Sequence, residues 1–557
     1  MQNPCGQCSK TFEIVGEDLE FYDKASPVLN NKKYSISPPT LCSDCRQQRR
    51  LAIRNERTLY KRKCSLCLKD MISIYFQDTV SPIYCQGCFW SDKWNALEYG
   101  QEINFQEPFF QQFQRLMEKV PRLGIVNKQA ENSEYCNYSF ANKNCYLTFG
   151  NHYEEDCLYG CYSTKNKNCV DYLWLYKSEL CYECSFSKNC YGSIFLDHCE
   201  NSQECLFSID LKACKNCLFS QNLRHKQYYI FNQPYTKEEY FKKLTAYNLN
   251  NIEEFTKAKK FFYGDFRKKF PFKALYQTNC ENCEGDNHQN SKNLRNCFAS
   301  TNCQDCAYGY QMDETYNSMD ISCSGYDRCE LSYETAGCSG IYHCLFCDSC
   351  WNNNDLNYCQ LCFSAKNCFG CIALNQKEYC ILNKQYSKEE YEKLIPRIIE
   401  HMGKNKEWGE FFPASISPFG YNETVANEYF SLEVKQVSLS GFKWKIPDKK
   451  DYIPQKYQVP NNIFDVSETI VNEILACCDC KKSYRIIKQE LVFYRNMKLP
   501  IPTKCPDCRH KDRINFSNPR KLWMRNCDKC KAVIQTTFSP KRSEIVYCEK
   551  CYLQEVY

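Results

Sequence analysis

CYECSFSKNCYGSIFLDHCENSQECLFSIDLKACKNC, Cys181 to Cys217, decides the reading of the fold. Each cysteine in it lies a multiple of three residues from the next. Such a register is not one face of a long α-helix, which drifts because its period is about 3.6 residues. Nor is it a plain strand, where residues three apart face opposite sides. The register runs back through Cys136, Cys145, Cys157 and Cys169, and Cys161 alone breaks step. A second block keeps the same register from Cys323 through Cys380. A longer interval lies over it: Cys338, Cys359 and Cys380 are 21 apart, as are Cys329, Cys350 and Cys371, while Cys145/Cys169 and Cys190/Cys214 use 24. Repeats near this length predict the coils of a solenoid, each stacking its inward residues on those of the next. Asn-rich corners such as Asn142–Asn144 and Asn352–Asn354 suit the left-handed turns that coils need. Two short β-solenoids filled with Cys, Ser and aromatic residues are expected.

The two blocks are a duplication. Asn216 to Tyr240 matches Asn367 to Tyr391 without a gap, and each copy ends in a capping box, Thr236 with Glu239 and Ser387 with Glu390. Helices are predicted to follow and to cover the solenoid ends. One carries Tyr391, Leu394, Ile395, Ile398, Ile399 and Met402 on its apolar face, with Pro396 expected to kink it.

The flanks carry CxxC pairs. Cys5/Cys8 go with Cys42/Cys45 and Cys64/Cys67 with Cys85/Cys88; near the other end, Cys477/Cys480 go with Cys505/Cys508 and Cys527/Cys530 with Cys548/Cys551. One CxxC turn brings two thiolates to a metal ion, and a second completes a tetrahedral four-thiolate shell. Cys42 to Cys88 aligns with Cys505 to Cys551 at a constant shift of 463 residues, matching Arg46 with Arg509, Arg50 with Arg513, Asn55 with Asn518 and Arg62 with Arg525. Upstream, Leu19 to Tyr22 (LEFY) matches Leu491 to Tyr494 (LVFY). One two-ribbon unit is thus used twice, and four zinc ions, each held by four cysteines, are expected. Cys478 falls outside the pattern beside Cys477, where a swap of ligand is open.

The chain has 557 residues and 45 cysteines, with a net charge of +6. It shows no secretory leader and no run of about 18 apolar residues, so a membrane span is excluded and a reducing, cytoplasmic setting is expected. There cysteines read as metal ligands or core thiols before disulfides. The 28 solenoid cysteines are expected to fill the core as buried, reduced thiols. Cys344, Cys347 and Cys350 form CxxCxxC, but the fourth cysteine of an iron–sulfur spacing is missing. The seven histidines form no HExxH pair, and no GxGxxG, Walker A loop or GxSxG elbow occurs, so no constellation supports a named reaction.

Positive charge is concentrated between the paired ribbons. Residues 46–63 carry eight Lys or Arg against one acid, and residues 509–526 carry six against one. Arg46, Arg49, Arg50, Arg54, Arg57 and Arg62, with Arg509, Arg513, Arg520 and Arg525, are therefore candidates for phosphate contacts. Tyr60, Phe89, Trp90, Trp94, Phe516 and Trp523 lie close by and could stack on unpaired bases. RNA, single-stranded nucleic acid or a ribonucleoprotein is the expected partner. A protein-assembly scaffold without nucleic acid, and a thiol or metal store or redox protein, are the competing readings.

The strings RNERTLYKRKC (Arg54 to Cys64), ILNKQYSKEEY (Ile381 to Tyr391), EWGEFFPASISPFGYNETVANEYF (Glu407 to Phe430) and KCPDCRHKDR (Lys504 to Arg513) resemble an uncharacterised, cysteine-rich, multi-zinc-ribbon group of proteins from ultra-small bacteria with reduced genomes. The resemblance runs end to end and implies zinc ribbons, but no catalytic or binding residue. The expected architecture is mainly β: two zinc ribbons with a basic bridge over 1–125, a Cys-rich β-solenoid over 126–234 and a helical cap over 235–272. A second solenoid follows over 273–385, then a helical cap with an extended aromatic linker over 386–470 and two more ribbons with a basic bridge over 471–557.

Overall fold

A computed structural model describes residues 1–322, 327–447 and 452–556. These form two compact units, each built from two separate stretches of chain: Met1–Ile125 with Leu275–Ile446, and Val126–Ala274 with Pro447–Tyr557. Each unit joins two tetracysteine modules to one wound stack of short parallel strands. The N-terminal modules belong with the second stack and the C-terminal modules with the first.

The stacks are wound more tightly than the 21-residue interval suggests. In the first stack, parallel pairing joins residues twelve apart, from Asn127–Ser139 through Tyr182–Ile194 to Leu218–Ile230. One coil is therefore twelve residues, an interval of 24 is two coils, and 21 is seven three-residue sides. Every third residue from Tyr138 to Phe231 has φ between 46° and 67°, which turns the chain at each side. Each side is thus an inward residue, a ladder residue and a left-handed corner. In the coil beginning at Cys181, the inward residues are Cys181, Cys184, Ser187 and Cys190, all buried. Tyr182 and Ser185 pair with the next coil, and the corners are Glu183, Phe186, Asn189 and Gly192.

A left-handed conformation costs a non-glycine residue about 1–2 kcal/mol. What offsets it is a fully used backbone: Tyr182 N–H donates to Ser193 O at 3.0 Å, and Phe195 N–H donates back to Tyr182 O at 2.9 Å. Corner side chains also stack, as in Phe195, Phe207, Phe219 and Phe231, with successive ring centroids 4.8, 5.1 and 5.4 Å apart. The inward position needs a small side chain that both accepts and donates. Ser193 Oγ accepts from Cys205 N–H at 3.1 Å and donates to Tyr191 O at 2.9 Å. Cys359 does the same with sulfur, accepting from Cys371 N–H at 3.4 Å and donating to Asn357 O at 3.4 Å. Cysteine and serine alternate inside the coils because they solve one hydrogen-bonding problem.

The second stack keeps the twelve-residue coil with two departures. Its first pairs are eleven apart (Gln277 with His288), and pairs around residues 323–326 are fourteen apart (Thr315 with Cys329). The longer coil moves the inward register from Cys297, Cys303 and Cys306 to the phase of Cys329 and Cys344. Cys323, read as the start of the second register, lies outside the described residues. Cys280 and Cys283, on the first coil, are half-buried, unlike the other described stack thiols.

Both stacks end in an antiparallel hairpin, Gln227–Ile230 with Gln233–Pro234 and Glu378–Ile381 with Lys384–Gln385. The helices Lys237–Ala246 and Lys388–Lys404 follow, and both expected capping boxes are formed. Lys388–Lys404 runs through Pro396 as one helix and buries Tyr391, Ile395, Ile398, Ile399 and Met402. No described helix is long and apolar enough to cross a membrane.

Candidate metal centres

All sixteen paired cysteines assemble as four tetracysteine groups, with the sulfurs of each group within 4.8 Å of one another. A tetrahedral ion with metal–sulfur bonds of about 2.3 Å sets sulfurs about 3.8 Å apart. One cross-pair contact in each group fits that edge: Cys8–Cys42 at 3.8 Å, Cys67–Cys85 at 3.9 Å, Cys480–Cys505 at 3.6 Å and Cys530–Cys548 at 3.8 Å. These are the only described groups that bring three or more candidate ligand atoms so close.

The four groups share one backbone design. The first pair lies on a tight hairpin turn whose next residue (Ser9, Leu68, Lys481 or Lys531) is left-handed. The N–H of that residue returns to the first cysteine's carbonyl, as in Leu68 to Cys64 at 3.0 Å. The second pair lies on a helix start rather than on a second hairpin, which departs from the ribbon expected. Cys42 caps Ser43–Leu51, Cys85 caps Gln86–Phe89, Cys505 caps Pro506–Phe516, and Cys548 precedes Glu549–Val556. At the helix starts burial pushes the Cys85 and Cys505 thiols up. Burial opposes ionisation of Cys64, Cys477 and Cys527, but surrounding backbone amides outweigh it and hold each down at about 6. The chemistry and the spacing of these donors fit a soft or borderline divalent ion such as zinc. Cys478 is exposed and outside the group, its sulfur 3.6 Å from Asp479 Oδ1 and from Thr503 Oγ1.

The arginines named for phosphate contacts mostly face inward. On Ser43–Leu51, Arg46 Nε donates to Asp320 Oδ2 at 2.8 Å, Arg49 reaches Glu334 and Glu410 at 2.9 Å each, and Arg50 lies 3.2 Å from Asp320 and 3.5 Å from Glu334. On Pro506–Phe516, Arg509 pairs with Asp171 and Glu490 at 3.2 Å, and Arg513 with Asp171 and Glu183 at 3.0 Å. Burial works against charge on Arg46 and Arg509, but Asp320 and Asp171 outweigh it and keep both well above the ordinary guanidinium value. Arg54 pairs with Glu56, and Arg57 lies 3.8 Å from Glu428. Arg62 donates to Phe76 O at 2.7 Å, and Arg525 to Glu544 O at 3.2 Å; Arg520 is half-buried. The nearby aromatic residues are also largely engaged. Phe89 is buried, Trp94 Nε1 donates to Phe89 O, Phe516 packs on Tyr263, and Tyr60 meets Glu423; Trp90 remains 43% exposed.

The acids that receive the arginines escape a reading of the sequence. Asp171 and Glu183 are corners one coil apart, and so are Asp320 and Glu334 across the fourteen-residue coil. The corner one coil earlier is Tyr159 or Tyr308, and its ring lies under Arg509 at 4.8 Å or Arg46 at 5.1 Å. Its hydroxyl donates to Glu490 at 2.8 Å or Asp18 at 3.1 Å, the residues just before the matched LVFY and LEFY strings. Two arginines four residues apart thus seat on two stacked corner acids in each unit. The signal available was the acids' place in the twelve-residue corner register.

No protein-family model matches the chain, and no curated protein matches its sequence.

Proposed function

We propose that this chain is a zinc-stabilised assembly scaffold built from two short β-solenoids. In each, a tetracysteine pair fastens an arginine-bearing helix to the coils. The observation that carries the reading is the burial of Arg46, Arg50, Arg509 and Arg513 against Asp320, Glu334, Asp171 and Glu183. The basic bridges suggested a phosphate-binding surface, yet in this geometry Arg46, Arg49, Arg50, Arg54, Arg509 and Arg513 are buried in ion pairs inside their units, and Lys61, Lys63, Lys511 and Lys521 are the bridge cations left exposed. A guanidinium already paired with a buried carboxylate makes no phosphate contact without leaving that site. What remains in each unit is a repetitive wound stack with tetracysteine modules fastened to it, suited to presenting its coil faces to protein partners. The resemblance to multi-zinc-ribbon proteins agrees with the metal and adds no activity.

Two measurements test this together. Elemental analysis of untagged protein, purified without added metal, is expected to give four zinc per chain. A titration with single-stranded RNA at physiological salt is expected to show nothing tighter than the non-specific range, roughly micromolar or weaker. Protein partners should survive nuclease treatment in pull-downs. Sub-micromolar RNA binding that falls steeply with salt would return the function to nucleic acid, and a zinc count near zero would remove the metal.

A further inference from the structure

The helices that carry the clamp arginines are the helices that carry metal ligands. Cys42 and Cys45 occupy the start of Ser43–Leu51, and Arg46 N–H donates to Cys42 O at 2.9 Å. Cys505 and Cys508 occupy the start of Pro506–Phe516, and Arg509 N–H donates to Cys505 O at 3.1 Å. One helical turn therefore fixes both the direction of two ligand sulfurs and the direction of the first clamp guanidinium. In the first group, the hairpin bearing Cys5 and Cys8 is tied to Ser43–Leu51 through Gln7 Nε2 donating to Gln48 Oε1 at 2.7 Å. The second and fourth tetracysteine groups lack this arrangement, since Gln86–Phe89 and Glu549–Val556 contain no arginine.

On the receiving side, Asp320, Glu334 and Asp171 are 0% exposed and Glu183 is 3% exposed. Asp320 Oδ1, Glu334 Oε2 and Asp171 Oδ2 take no hydrogen bond of good geometry and rely on the guanidinium charge facing them at 3.2–3.5 Å. Withdrawing the helix leaves buried carboxylates uncompensated, so the seat has two states, closed on arginine or opened to water.

We infer that the first and third metal groups are latches. Metal at Cys5/Cys8/Cys42/Cys45 seats Arg46 and Arg50 on Asp320 and Glu334. Metal at Cys477/Cys480/Cys505/Cys508 seats Arg509 and Arg513 on Asp171 and Glu183. Emptying a latch releases its helix and opens the coil corners of its own unit, while the second and fourth groups meet their stacks elsewhere, through Trp90 on Phe363 and Tyr552 on Asp210 and Asn222, with no helix arginine seated on buried acids. The inference rests on the proposal that the tetracysteine groups bind metal. By linkage it is reciprocal: whatever weakens the seat weakens the metal.

The test uses the full chain loaded with zinc. Cys45→Ser should raise amide exchange in the corner segments around Tyr308 and Asp320, and Cys508→Ser in those around Tyr159 to Glu183. Cys67→Ser, which empties the second group, should leave both protected. The reciprocal arm keeps every ligand: Asp320→Asn with Glu334→Gln should weaken zinc at the first group by a factor within about 5–150 against a competing chelator, and leave the second group unchanged. Corner exchange that ignores Cys45→Ser, or that rises equally with Cys67→Ser, overturns the latch. Should Cys45→Ser unfold its whole unit, the amide variant decides, and an unchanged zinc affinity overturns the latch. A wild-type count below four zinc would instead defeat the metal reading itself.

Discussion

Arg513 Nη1 lies 3.0 Å from Asp171 Oδ1, and neither side chain is more than 1% exposed. Arg50 and Asp320 repeat the contact at 3.2 Å, both side chains at 0%. Desolvating two charges costs about as much as their attraction returns, so such pairs specify a docking register more than they add stability. Here the register is which turn of a helix meets which coil.

Arg513→Met should therefore be severe alone and mild in company. It leaves Asp171 and Glu183 buried with one cation fewer, and should cost about 3–5 kcal/mol. Adding Asp171→Leu removes the orphaned charge and should recover a large part of that loss. Urea denaturation, followed by exchange in Val126–Ala274, reads both effects. A single variant within about 1 kcal/mol of wild type would show that the seat is hydrated and open.

The interior thiols make a different prediction. Cys359→Ser keeps a donor for Asn357 O and an acceptor for Cys371 N–H. It should change stability by about 1 kcal/mol or less. Cys359→Val has similar bulk but leaves that amide unpaired, at a cost of about 1–3 kcal/mol. A denaturation series that ranks valine above serine would refute the hydrogen-bonding account of why coils alternate Cys and Ser.

The sequence and the structure part company at identifiable places. The CxxC pairs were legible because metal geometry imposes local spacing, and the duplicated strings confirmed which pairs belong together. Capping boxes at Thr236 and Ser387 were legible for the same local reason. The three-residue register was visible, but the coil length was not, because 12, 21 and 24 are all multiples of three and recur about equally often among the cysteines. Cys145, Cys157, Cys169 and Cys181, stacked at twelve, carried the right period; between them on the inward register lie Thr148, Gly160 and Tyr172, which do not look alike. The partners of the clamp arginines were not legible because local charge density says nothing of the carboxylates that the fold brings from 270 or more residues away.

Gly160 tests the inward register directly. It stands one coil before Tyr172, and a Cβ added to it would lie 2.0 Å from the Tyr172 ring. Gly160→Ala should therefore destabilise the first stack by about 1–3 kcal/mol through overpacking. Combining it with Tyr172→Leu should relieve the clash, leaving the double variant closer to Tyr172→Leu alone than additivity allows. Thermal denaturation of the two single variants and the double reads this coupling, and strict additivity would place the two residues apart.

The last prediction follows from the carboxyl beside that ring. Glu154 is 1% exposed inside the first stack, where Asn166 Nδ2 donates to it at 2.9 Å and Tyr172 OH donates to its other oxygen. Burial pushes its carboxyl up to about 8, against partial relief from Tyr172, Cys157 and Asn166. The unfolded chain returns it to about 4.3. The folded state then binds the proton more tightly, so its contribution is complete below about pH 4.3 and is lost as pH rises through about 8. Stability of the first stack should accordingly fall across this window, by up to about 1.4 kcal/mol per pH unit from this group. Glu154→Gln keeps an acceptor for Tyr172 and cannot ionise, so it should flatten the slope and leave the variant more stable than wild type at pH 9. Denaturation midpoints from pH 5 to 9 decide it, and parallel profiles for the two proteins would mean that Glu154 is already ionised and paired at neutral pH.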